Sequence, residues 1–135
     1  MEEAGEFVIS QADKRPMYFQ IMEQIKRRIA VGDWSAGQAI PSIRQLAVDS
    51  GVSVITVKRA YLELEREGVI VTHHGRGSFV ASSPDLGERI REAELAQHLV
   101  EAARIGAQMG LGIDDLAGRL RAACERMAES KEEFV

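Results

Sequence analysis

From Tyr18 the apolar residues Ile21, Met22, Ile25 and Ile29 recur at steps of three and four, the spacing that lines one face of an α-helix. Pro16 opens that helix, since the N–H it lacks has no partner in a first turn, and Gly32 marks its end. Ser42 is an N-cap, and Gln45 three residues later completes the spacing of a capping box. A second helix is therefore predicted over residues 43–49, burying Ile43, Leu46 and Ala47 and turning Arg44 and Gln45 outward. Gly51 supplies the positive φ of a tight corner, Val52 packs that corner inward, and Ser53 caps a third helix. Val57, Ala60, Tyr61 and Leu64 form its inward stripe, and it stops at Gly68.

The period then shortens. Residues 69–72 and 78–81 are β-branched or aromatic runs separated by His73, His74, Gly75, Arg76 and Gly77, which reads as a hairpin with a glycine-hinged tip. Helix, turn, helix and hairpin in that order predict a winged helix-turn-helix. Ahead of it, Phe7 to Ile9 is a short apolar run that makes a strand or an ordered arm. Trp34 and Gly37 fall in a polar turn region, with Trp34 placed to cap the core from one side.

Beyond Ser82, Ser83 and Pro84, a flexible joint, helical spacing returns. Residues 86–109 carry a wide apolar face of Leu95, Leu99, Ala102, Ala103 and Gly106, with Val100 and Ala107 beside it. Gly110 and Gly112 interrupt the pattern, and Ile113, Leu116, Ala117, Leu120, Ala123, Cys124 and Met127 form a second stripe. Two helices alone cannot bury both faces, so this hairpin calls for a second copy of the chain or for the winged unit itself. Leu95, Leu99, Ala103, Leu116, Leu120 and Met127 are the candidate dimerisation residues. The expected fold is mainly α with a small β-wing: an arm at 1–13, a winged helix-turn-helix at 14–81 and a helical dimerisation region at 82–135.

Composition narrows the class. The 135 residues allow one small domain with a helical appendage, and 45% apolar with 28% charged residues is a folded, globular balance. No apolar run approaches the roughly 20 residues that cross a bilayer, and the acidic start MEEAGEF lacks the features of a signal peptide. A cytoplasmic protein without a membrane partner is expected. The single Cys124 cannot form an internal disulfide, and its place in an apolar stripe predicts a small core residue.

A net charge of −4 argues against nucleic acid until its distribution is considered. Residues 1–13 hold Glu2, Glu3, Glu6 and Asp13 and no base, whereas residues 14–81 hold ten Lys or Arg against six Asp or Glu. The positive charge sits with the winged pattern. Other chemistries lack their residues. His73 and His74 are adjacent and cannot readily face one metal, and His98 stands alone without Cys or carboxylate at ligand spacing. No glycine-rich phosphate loop follows a strand, no nucleophile has a base at recognisable spacing, and Gly75 to Gly77 is a turn. Neither an enzyme, nor a cofactor, nor a metal is expected.

A helix opening at Ser53 aims its N-terminal N–H groups and short side chains at the major groove of double-stranded DNA, the expected partner. Arg44 offers a two-pronged donor to guanine or phosphate, while Lys58 and Arg76 neutralise phosphates. Glycines on both sides of Arg76 let the wing backbone approach a groove closely.

Between about Pro16 and Val80 the string resembles the DNA-binding domain of the GntR family of bacterial transcription regulators. The resemblance lies in MYFQI, GDWSAGQAIPSIRQLA, GVSVITVKRAYLELEREG and HGRGSFV, in that order and spacing. It implies that Arg44 of the PSxR segment contacts DNA, as do the residues opening the recognition helix, Ser53, Val54, Ile55, Thr56 and Lys58. Arg59 follows on the same surface, and the wing residues His74 and Gly75, continuing to Arg76 and Gly77, meet the minor groove. Many members carry a polar pair where this chain has Val54 and Ile55, so contact with thymine methyls replaces hydrogen-bond readout there. With only about 50 residues after the wing, the chain looks like the small YtrA subfamily, whose short two-helix region dimerises and whose members often repress transcription. A hairpin of that length has little room for a metabolite pocket, so a small-molecule effector binds at the dimer seam or does not exist. The competing reading is a winged-helix protein-interaction adaptor without specific DNA binding.

Overall fold

The computed structural model of the chain describes residues 7–10, 12 and 14–133. The acidic residues Glu2, Glu3, Glu6 and Asp13 of the arm lie outside them. The element order is α1 (Met17–Ala30), α2 (Ile43–Ser50), α3 (Val54–Arg66), β1 (Ile70–His73), β2 (Gly77–Val80), α4 (Leu86–Gln108) and α5 (Ile113–Glu133). The chain divides into two compact units, Met1–Arg91 and Glu92–Val135.

The first unit is built on the stripes that the spacing marks out. Ile21, Met22, Ile25 and Ile29 of α1, Leu46 and Ala47 of α2, and Val57, Ala60, Tyr61 and Leu64 of α3 are all buried, with Ile70 and Val80 from the hairpin. Ile43 and Val52 are partly buried against this cluster. Pro16 stands one place before the helix: its carbonyl accepts from the N–H groups of Phe19 and Gln20 at 3.1 and 3.2 Å. Trp34 is buried beside Phe7, ring centroids 6.5 Å apart, and so closes one side of the core. Leu86 and Ile90 are buried as well, so the opening turns of α4 complete the first unit's core. The sequence pattern misses this, because it places a flexible joint at Ser82 to Pro84 and starts a separate region there.

Phe7 to Ser10 is an ordered arm and not a strand. Two side-chain amides on α1 tie it down by standing in for peptide groups. Gln20 accepts from Ser10 N at 3.0 Å and donates back to the Ser10 carbonyl at 3.1 Å, and Gln24 does the same for Val8 at 3.1 and 2.7 Å. Gln20 is buried, and an additional bond to the Arg15 carbonyl at 3.2 Å uses its remaining amide hydrogen. The arm's anchor is thus polar and invisible to a hydrophobic count.

In the second unit α4 ends in a Schellman motif. Leu111 N donates to Gly106 O at 2.8 Å and Gly110 N to Ala107 O at 3.1 Å, with Gly110 at φ +73°. Asp115 then accepts from Gly112 N at 3.1 Å and opens α5. Leu116 seats on Gly106: a Cβ there would come within 2.9 Å of Leu116 Cδ1. Most of the remaining apolar face stands in solvent. Leu95 is 59% exposed, Met127 64%, and Leu99, Ala103 and Leu120 are exposed too, while Leu116 is half-buried. Cys124 is exposed, which corrects its expected place in a core. Periodicity identifies the apolar face of α5, and within the second unit the part of that face around Cys124 is left exposed.

Candidate nucleic-acid interface

The helix-turn-helix forms because each boundary has its local chemistry. Ser42 Oγ accepts from Gln45 N at 3.1 Å, which starts α2, and Ser53 Oγ accepts from Thr56 N at 3.2 Å, which starts α3. Only half of the expected capping box is present at α2, since the Gln45 amide donates forward to Asp49 Oδ1 at 2.8 Å. Gly51 turns the corner at φ +73°, in the left-handed region that costs glycine least. Tyr61 locks α3 to the segment entering α2: its hydroxyl, buried, donates to Pro41 O at 2.7 Å. Burial pushes the Tyr61 pKa far above its ordinary value.

With Val57, Ala60, Tyr61 and Leu64 inward, α3 presents Val54, Ile55, Lys58 and Arg59 to solvent, with Thr56 half-buried and Ser53 exposed at the cap. The Arg59 guanidinium lies 4.0 Å over the Tyr18 ring, a cation–π contact that restrains a long side chain at the α3 surface. Arg44 is exposed one residue into α2. Among the described residues, no ion pair holds Arg44, Lys58 or Arg76. Three guanidinium or ammonium groups are thereby open to an anion.

The wing is antiparallel, with Ile70 opposite Val80 and His73 opposite Gly77. The paired runs are displaced by one residue from 69–72 and 78–81, so His73 and Gly77 close the ladder and do not belong to the loop. His74, Gly75 and Arg76 make the exposed tip, where Arg76 N donates to His73 O at 2.9 Å. His73 is held to the strand side by the Phe79 ring, centroids 5.3 Å apart. All the candidate DNA-binding residues therefore stand in the first unit, and all the candidate dimerisation residues in the second.

Sequence reasoning misses what braces the wing. Residues 37–40 run along β2: Gly37 N donates to Val80 O at 3.0 Å, Val80 N to Gln38 O at 2.9 Å, and Ile40 N to Ser78 O at 3.0 Å, around a bridge between Ala39 and Phe79. The segment directly before α2 thus holds the wing's second strand. It also misses how the basic end of α1 is used, since these side chains do not simply stand in solvent. Lys26 instead bonds Glu67 beyond α3 at 2.7 Å, and Arg28 stacks on Phe7 at 4.2 Å and Trp34 at 5.6 Å.

Residues 17–80 match the family model of bacterial regulatory proteins, gntR family. YtrA from Sulfolobus acidocaldarius, a GntR-family transcription factor, is 36% identical, with a TM-score of 0.54 over 68% of this chain and 95% of that one. The chain belongs to the GntR family. A GntR-family regulator from Listeria monocytogenes is more similar in overall structure, with a TM-score of 0.73 at 26% identity over 82% of this chain and 96% of that one. The DNA-binding domain of AraR, solved in complex with its operator ORX1, is 31% identical, with a TM-score of 0.54 over 56% of this chain and 96% of that domain. The curated repressor YtrA of Bacillus subtilis is 41% identical over 68 residues, and the match spans about half of that relative's length, 52%, and 50% of this chain. As a GntR regulator the chain has a DNA-binding fold in its first unit, and the helix-turn-helix and wing are the parts that carry it. Among the described residues no group of metal-ligating side chains could hold an ion, and no helix is long and apolar enough to cross a membrane.

Proposed function

We propose that this GntR regulator is a cytoplasmic, YtrA-like repressor that binds a two-fold operator as a homodimer. In this reading the first turn of α3 enters the major groove, Arg44 forks onto a guanine or a phosphate beside it, and Lys58 and Arg76 neutralise phosphates. His74, Gly75, Arg76 and Gly77 bring the wing to the adjacent minor groove. The observation that carries the reading is the set of exposed cations at Arg44, Lys58 and Arg76 with no ion pair among the described residues, in a unit whose fold the AraR domain uses on its operator. Dimerisation is supported by the exposed leucines of the second unit. A dimer that covers both half-sites blocks other proteins from the same duplex, which is how binding becomes repression.

The test is the affinity of the full chain for a duplex it selects from random sequence, measured by fluorescence anisotropy against unselected duplex as salt rises. Operator binding predicts a clear preference and a steep fall of affinity with salt. Arg44→Ala weakens the selected complex by about 1–3 kcal/mol. Equal affinity for both duplexes, or an interaction indifferent to salt, would support a protein-binding adaptor instead.

A further inference from the structure

The first turn of α3 presents apolar side chains to solvent. Val54 is 47% exposed and Ile55 is 80% exposed, although β-branched residues are middling helix formers and gain nothing from standing in water. The hydroxyls on either side are already engaged with one another. Ser53 Oγ accepts from Thr56 N and lies 2.9 Å from Thr56 Oγ1, so the cap's polar groups serve the helix start. What the first turn of α3 offers outward is therefore a hydrocarbon edge, in a helix-turn-helix whose exposed cations supply attraction to a polyanion.

We infer that Ile55, flanked by Val54, is a specificity residue that reads the 5-methyl groups of thymines in the operator's major groove. The inference rests on the operator reading above. Thymine alone among the bases shows a methyl group to the major groove, and an isoleucine side chain meets it hydrocarbon to hydrocarbon. Cytosine shows an N4 donor on that edge, and an isoleucine leaves that donor without a partner once water is displaced.

The experiment uses duplexes selected by the full chain, resynthesised with deoxyuridine for thymidine, which removes the methyl and keeps the pairing. Affinity falls about fourfold for each contacted methyl group. Ile55→Ala binds the two versions alike, and its thermal unfolding matches wild type because the side chain is exposed. Ile55→Val keeps part of the discrimination. Equal binding of both versions by the wild type would overturn the inference while leaving the operator reading intact. So would an Ile55→Ala chain that still prefers thymine as strongly as wild type, because the methyl would then act through duplex shape. A wild-type chain with no preference for selected over random duplex brings down the operator reading, and this inference with it.

Discussion

Tyr61 and Arg44 divide the work of the helix-turn-helix between an inward and an outward residue. The buried hydroxyl of Tyr61 is satisfied by the Pro41 carbonyl, so Tyr61→Phe leaves that acceptor without a donor and costs about 1–2 kcal/mol in urea unfolding. The same residue gives the fold a pH signature. Its folded pKa stands above the ordinary 10.0, so the unfolded chain loses this proton first as the solution becomes alkaline. Stability from this group is complete below pH 10.0, and it is lost as pH rises from there toward the folded pKa. The stability difference between wild type and Tyr61→Phe should shrink across that alkaline range. Arg44 contributes nothing comparable to the fold. Arg44→Ala should leave the unfolding midpoint unchanged while weakening DNA binding, and a shared loss of both would show that the side chain acts through stability.

At the level of elements, most of the first unit is legible because its signals are local. Serine caps on α2 and α3, Pro16 ahead of α1, the glycine at or just past each helix end and apolar steps of three and four fix these helices to within one or two residues. Gly51 is the clearest case: its φ of +73° is required by the corner, and no atom within 4 Å would clash with an added Cβ. Gly51→Ala therefore isolates the backbone cost, about 1 kcal/mol of stability with no packing defect. What sequence could not show depends on partners distant along the chain. Residues 37–40 have no alternating pattern of their own, and pair with β2 only because the wing offers a free edge. The arm is fixed by glutamines, whose amides no hydrophobic period reveals. The exposure of Cys124 has a related cause: spacing shows which face of a helix is apolar, and coverage of that face depends on what else is present. The outward placement of the candidate residues on α2, α3 and the wing follows from local spacing, whereas the Arg59 stack on Tyr18 joins α3 to α1, two helices distant along the chain, and no local pattern shows it.

For the whole molecule, the second unit exposes large apolar side chains, Leu99 and Leu120 among them, and these are the residues on which the proposed dimer rests. Leu99→Glu with Leu120→Glu should convert a dimer to a monomer in sedimentation velocity while helicity by circular dichroism is retained. That monomer should still bind DNA, but more weakly and without cooperation between half-sites. Operator binding as proposed requires two winged units to read one duplex together. The direct measurement is selection of bound duplexes from a random pool by the full chain, followed by sequencing. Two inverted half-sites, with centres spaced by about one helical turn, are the predicted result. A pool that stays random after repeated rounds would contradict it.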